Sequence, residues 1–383
     1  MGPIILLDKS ALQGLNPTEI RFLAKHFTVV IPPILIVEIA ADLAKSVHPV
    51  GALSREQVSI LANKLTPADS AVNVDYRMGC ESSLAGFQHP LDGRPWIPVQ
   101  VIRPKNCPPG YLVDDGAIWA EIRRWQDGDF TGNDELVAQT WQAYKRGLDF
   151  ESFVKNAPEI WKRADVKGIP HLIQIVNSDL SNADKEVQRR HLDIVLRLIS
   201  ASLPVRNQTF DRWLALGLPQ LEDFAPYAGF CLKIFKLFSM GITAKVLPSR
   251  GDNFVDLEYF YYAPFCMVFC SEDKFHRTLA PAVLRADQVF ITGKQLKDDL
   301  RWIANEWDSL TPEERNERAR EYGSYPPHNP DSVTFRAWVR FMLPWQPGSG
   351  NRALGMSKEA QAKLVEDLRP IFDAIDEHNR QKK

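Results

Sequence analysis

An unbroken apolar run, Ile4-Ile5-Leu6-Leu7, opens the chain and stops on Asp8. A strand buried on both faces reads this way, continuous rather than alternating, and such strands belong to parallel sheets. Asn16-Pro17-Thr18-Glu19 then carries a helix start, with Asn to cap, Pro at the first helical position and Glu at the third. Ile20, Leu23, Ala24 and Phe27 recur at helical spacing, so this helix has one apolar face. Thr28-Val29-Val30-Ile31 is a second strand, closed by Pro32-Pro33, and Ile34 to Lys45 reads as a second helix. Strand, helix, strand, helix in so short a stretch is a βαβα unit, which implies a parallel sheet.

From residue 51 to about 220 the pattern turns helical, with segments at Glu135 to Arg146, Phe150 to Arg163 and Lys185 to Leu203. Pro and Gly crowd residues 89–110, which read as an ordered loop region. Alternation returns at Thr243-Ala244-Lys245-Val246-Leu247 and predicts a strand. A helix over Asp252 to Ala263 follows, then a second acid-ended apolar run, Met267-Val268-Phe269-Cys270 before Ser271-Glu272-Asp273, and a further strand at 288–292. Beyond residue 300 the chain is helical and Trp-rich. Thr311-Pro312-Glu313-Glu314 is a capping box, 347–351 reads as a linker, and Leu364, Leu368, Ile371, Phe372 and Ile375 stripe a last helix.

Composition changes this picture little. A chain of 383 residues can hold two or three domains, and 45% hydrophobic with 25% charged residues is ordinary for a globular protein. A net charge of -2 names no partner, although a local basic face would be averaged away. Five cysteines are an odd number without metal-ligand spacing, and Cys266 and Cys270, flanking a strand-like run, read as core residues, which fits a cytoplasmic location. No targeting segment is read at the start. Lys233 and Lys236 interrupt the apolar tract from Phe224 to Ile242, so it reads as a buried helix and no membrane contact is expected.

Four acids have settings that allow cooperation. Asp8 ends the first strand, Glu38 lies in the helix after the second, Asp256 lies in the helix before the late strand, and Asp273 follows that strand. Glu38 sits among Ile34, Leu35, Ile36, Val37 and Ile39, where an unpaired carboxylate is costly. Such acids suit Mg²⁺ or Mn²⁺, which take hard oxygen ligands and support phosphodiester hydrolysis by metal-activated water. Glu258 and Asp252 rival Asp256, and Asp42 lies one turn beyond Glu38. The plain reading is that Asp8 and Asp273 each cap the helix that follows. If the four carboxylates share a crevice they repel. At least one should then be held above its usual pKa, and Asp8→Asn or Asp273→Asn should leave the metal-free fold no less stable.

Taken together, Leu7-Asp8-Lys9-Ser10, the Glu38 helix after Pro32-Pro33, and Asp256 ahead of the Ser271-Glu272-Asp273 turn resemble the PIN-domain ribonucleases. The resemblance covers residues 3–48 and 240–300. It implies an α/β fold in which 1–50 and 240–300 form one discontinuous PIN-like parallel-sheet nuclease domain. A mainly helical insertion would occupy 51–239, and a helical region 301–383. It further implies a metal-dependent ribonuclease with Asp8, Glu38, Asp256 and Asp273 as metal ligands and catalytic acids. Ser10 and Ser271 would be donors that orient the carboxylates. Single-stranded RNA would be the substrate, with DNA as an alternative, and a protein partner or inhibitor is compatible with it.

Lys274 and His276 beside Asp273, and Lys162 and Arg163 among the basic residues Lys145, Arg146, Lys155 and Lys167, are candidate nucleic-acid contacts; a solvated charged surface is the plain reading of each. Tyr259-Phe260-Tyr261-Tyr262 can be read as a stacking platform or as core. Trp302, Trp307, Trp338 and Trp345 read as structural. The competing function class is a non-catalytic scaffold that binds nucleic acid or protein.

Overall fold

The computed structural model describes residues 2–45, 51–66, 68–102, 110–113, 115–147, 155, 165–248 and 252–344, and in the C-terminal region 363, 365–371, 373 and 380. Lys162 and Arg163, most of the helix expected over Phe150 to Arg163, the 347–351 linker, Trp345, the Asp252 side chain, and Leu364, Phe372 and Ile375 lie outside the described residues.

The strands are β1 (Ile4–Leu7), β2 (Thr28–Ile31), β3 (Ser70–Val72), β4 (Val99–Ile102), β5 (Gly110–Val113), β6 (Val268–Cys270) and β7 (Val289–Ile291). Five of them make one all-parallel sheet in the order β3-β2-β1-β6-β7, while β4 and β5 pair antiparallel as a separate ribbon. The protein is therefore α/β, as the opening pattern predicts. The first and last acid-ended runs are neighbours: Leu6 lies opposite Phe269, and Leu7 opposite Cys270. Helices cover the sheet, so Ile5, Leu6, Leu7, Val30, Ile31, Phe269 and Cys270 are buried with no exposed surface. Removing each such side chain from water contributes roughly 1.5–3 kcal/mol.

The predicted helix starts form as written. In the Pro17–His26 helix, Glu19 N donates to Asn16 Oδ1 at 2.9 Å and Asn16 N donates to Glu19 Oε2 at 2.8 Å. Thr311 and Glu314 close the same reciprocal box at the Pro312–Tyr322 helix. The Pro17–His26 helix packs on the Gly293–Asp308 helix, which in turn carries Val333–Phe341.

Three expectations are corrected. Residues 243–247 are not a strand but the turned end of the Pro226–Thr243 helix, where Val246 N and Leu247 N both donate to the Gly241 carbonyl at 2.9 Å. Leu247 folds back onto Gly241, and Lys245 takes a positive φ of 58°. The stretch 89–110 contains β4 and the first residue of β5, which pair antiparallel. Ser70-Ala71-Val72, in the stretch expected to be inserted, supplies β3 and pairs with β2. So short a run has too few apolar positions to announce itself. Among the described residues no helix is long and apolar enough to cross a membrane.

The strand order places a reversal at the centre. From β1 the chain builds outward through β2 to β3, then returns through β6 to β7 on the other side of β1. In open parallel sheets the crevice outside the carboxyl ends of the strands at such a reversal is where ligands bind. Here those ends are Leu7 and Cys270, followed by Asp8 and Ser271.

Candidate active site

Asp8 leaves β1 and caps the Lys9–Gly14 helix, with Ala11 N donating to its Oδ1 at 2.8 Å. Its backbone N donates to the Cys270 carbonyl at 3.2 Å, which ties the two strand ends together. The carboxylate is 3% exposed yet well supplied with donors. Ser10 Oγ donates to Oδ1 and Oδ2 at 2.9 and 2.8 Å, and Ser271 Oγ donates to Oδ2 at 2.5 Å. The two serines thus touch the acid that the resemblance assigns them.

His276 completes this group from inside. Its Nε2 lies 2.7 Å from the Asp256 carbonyl, which can only accept, so Nε2 carries a proton. Its Nδ1 lies 2.7 Å from Ser271 Oγ and 3.3 Å from Asp8 Oδ2. With Ser271 donating to Asp8, Nδ1 must also donate, which makes the ring an imidazolium paired with Asp8. Burial alone would raise the Asp8 pKa, but His276, Ser271 and Ala11 outweigh it and hold the carboxyl below its ordinary value. Burial likewise opposes charge on His276, and Asp8 overcomes it, so the histidine pKa is raised. His276 has no exposed surface, so it is not the nucleic-acid contact suggested by its place after Asp273. Lys274 is exposed at the start of the next helix.

Asp273 caps that helix, Lys274–Val283, accepting from Phe275 N at 2.6 Å, while its own N donates to Ser271 Oγ at 2.9 Å. Both plain capping readings are therefore realised in the fold. Glu38, half-buried on the Pro33–Ala40 helix, accepts from Tyr259 Oη at 2.6 Å. Burial raises its pKa, and Tyr259, Lys9 and Lys145 offset part of that rise.

Asp256 differs from the other three. Among the described residues its carboxylate takes part in no hydrogen bond or ion pair. Burial raises its pKa to about 7; His276 opposes the rise, and the charges of Asp273, Glu38 and Asp8 add to it. Asp8, Glu38 and Asp273 thus all lie near enough for their charges to act on Asp256. Glu258, the rival on the same helix, is also pushed up to about 7, by burial first, with Arg77 opposing and Asp75 and Glu38 adding.

Lys9 escaped the sequence reading. Its Nζ donates to the Glu38 carbonyl at 2.8 Å and pairs with Asp42 at 2.7 Å, clamping the Glu38 helix to the end of β1. Nothing in the local pattern marks a lysine after a strand-end acid as buried; the partner Asp42 arrives by tertiary packing. The aromatic run Tyr259 to Tyr262 is core, with each ring at most 1% exposed.

Oxygen donors of this kind match Mg²⁺ or Mn²⁺. Asp256, half-buried, raised by the charges of Asp273, Glu38 and Asp8 and without a donor among the described residues, is the group a cation would relieve. Among the described residues, however, no three His, Cys, Asp or Glu side chains stand as a ready metal-holding group. Asp8 is directed to its donors and Glu38 to Tyr259. No protein-family model matches the chain, and no curated protein or solved structure matches it.

Proposed function

We propose that this crevice hydrolyses phosphodiester bonds in single-stranded RNA, with Mg²⁺ or Mn²⁺ as cofactor, on a PIN-like site. What supports the reading is that the charges of Asp273, Glu38 and Asp8 all add to the raised pKa of Asp256, with Asp8 at the strand end where the strand order reverses. Their elements are cross-linked there by Ser271, His276 and Tyr259.

Each residue has a task under this reading. Asp8, Asp256 and Asp273, with Glu38, would hold the ion. When bound, it polarises the phosphate and lowers the pKa of the attacking water. His276 keeps Asp8 ionised, and Ser10 and Ser271 fix the direction of its oxygens. Asp256 holds a proton near neutrality and releases it when positive charge enters the crevice. Lys9 holds the Glu38 helix against β1.

The test is cleavage of a labelled single-stranded RNA in Mn²⁺, Mg²⁺ or EDTA, with DNA in parallel, comparing wild type with Asp256→Asn. That variant removes a carboxylate that makes no hydrogen bond among the described residues, so the fold should be kept. Turnover should fall at least about a hundredfold, with RNA affinity kept. Equal cleavage in EDTA, or by the variant, would sink the mechanism. The second reading, a non-catalytic scaffold, draws on the absence of a ready metal-holding group among the described residues. It gains if neither nucleic acid is cut and no metal binds.

A further inference from the structure

A second site lies at the other end of the sheet, where His26 closes its helix ahead of β2. Phe22, Lys25 and His26 meet Trp307, Arg318 and Tyr322 around a small cavity. Its innermost space is about 10 Å³, room for a single oxygen-sized group.

Two features of this cavity stand unsatisfied. The first is charge. Lys25 Nζ rests on the Trp307 ring, 3.6 Å from its centroid, Arg21 lies over Phe22 at 4.9 Å, and Arg318 over Tyr322 at 5.9 Å. None of these three cations is in an ion pair among the described residues. Burial, then Arg318 and Arg21, lower the Lys25 pKa to about 8. Among the described residues no anion pairs with Lys25 or Arg318 at the cavity, nor with Arg21, which is exposed just outside its lining.

The second is His26. The ring is 1% exposed, Nδ1 donates to the Ser324 carbonyl at 2.8 Å, and Trp338 Nε1 anchors the His26 carbonyl at 2.8 Å. Nε2 is buried without a hydrogen-bond partner and is the polar ring atom left for the cavity. With the proton on Nδ1, Nε2 is an acceptor, so it calls for a hydroxyl or N–H group rather than an anion. Leaving such an atom unpaired costs about 1–3 kcal/mol.

We propose that this cleft binds a phosphorylated hydroxyl compound of the ribonucleotide class: the phosphate among Lys25, Arg318 and Arg21, a hydroxyl donating to His26 Nε2, and an aromatic face against the ligand. The chemistry is shared by free ribonucleotides and by the ribose-phosphate backbone of RNA. It does not depend on the acid crevice, which lies at the opposite ends of the strands.

The experiment is calorimetric titration of the full chain with a ribonucleoside monophosphate, a short oligoribonucleotide, the unphosphorylated nucleoside and inorganic phosphate, with Trp fluorescence as a second readout. Asp256→Asn serves as background throughout, so that occupancy of the acid crevice is controlled. The monophosphate or the oligonucleotide should bind in the sub-millimolar range. The nucleoside and inorganic phosphate should each be at least about tenfold weaker. Lys25→Gln and Arg318→Gln should each weaken binding about tenfold and flatten its salt dependence, with melting temperatures retained. An oligonucleotide preferred about tenfold over the monophosphate marks RNA as the source, and equal affinity marks the free nucleotide. The proposal is overturned if neither binds by about 10 mM, if inorganic phosphate binds as tightly, or if both variants bind like the parent.

Discussion

Asp8 and Asp256 are the same residue type in the same crevice, yet their protons are held in opposite ways. Asp8 has donors on both oxygens and an imidazolium beside it; Asp256 has buried surroundings and like charges. Like charges therefore add to the burial that raises Asp256, whereas at Asp8 the counter-charge of His276, with Ser271 and Ala11, outweighs burial. Asp8→Asn should destabilise the metal-free fold by about 1–3 kcal/mol at pH 7, since it strands a buried imidazolium; urea melts will show this, and an unchanged midpoint would return Asp8 to a purely capping role. Because its folded pKa is depressed, the Asp8 contribution is present above its ordinary value of 3.8 and fades as pH falls through the folded value. Asp256 has the opposite sign. Its folded pKa of about 7 stands above 3.8, so its contribution is complete below the lower value and is lost as pH rises through the higher. Asp256→Asn should thus stabilise the metal-free protein by about 1–3 kcal/mol at pH 8 and by nothing measurable near pH 4. Thermal melts across that range check it; a pH-independent difference would contradict the assignment.

At the scale of elements, caps and buried strands were legible because each is decided within a few residues. Asn16 and Glu19 satisfy each other's backbone across one turn, and a run such as Leu6-Leu7 has few alternatives to burial. The end of the Pro226–Thr243 helix was illegible because alternation at 243–247 imitates a strand. Its turn depends on Gly241, where an added Cβ would lie 2.5 Å from Leu247 Cδ1 and 3.2 Å from Leu172 Cδ2. Gly241→Ala should cost about 1–3 kcal/mol by overpacking. Gly132→Ala, with nothing within 4 Å of the new atom, should change stability by no more than about 0.5 kcal/mol. Equal melting temperatures for the two would show that Leu247 yields without strain.

For the whole molecule, the site is a product of sheet order. Two strands separated by most of the chain become neighbours only when β6 returns to the open side of β1. A cation entering there should bind the folded state alone, and an ion at 100 times its dissociation constant would add about 2.7 kcal/mol. The melting temperature should rise with Mn²⁺ or Mg²⁺ at pH 8 in wild type and stay flat in Asp256→Asn. A rise of equal size in both would place the ion elsewhere.

By itself the sequence determined the α/β class, the first two strands with their helices and both acid-ended runs, since these are properties of short segments and of local hydrophobic period. Tertiary structure alone decided that β3 joins the sheet and that 243–247 turns instead of pairing. It also decided that Lys9 is clamped between Asp42 and the Glu38 carbonyl, and that His276 is the buried partner of Asp8 rather than a surface contact. The 243–247 turn is closed locally, on the Gly241 carbonyl; the other three share one physical reason. Burial and charge pairing depend on groups far apart in the chain, and no local pattern records which distant carboxylate, carbonyl or side chain will arrive.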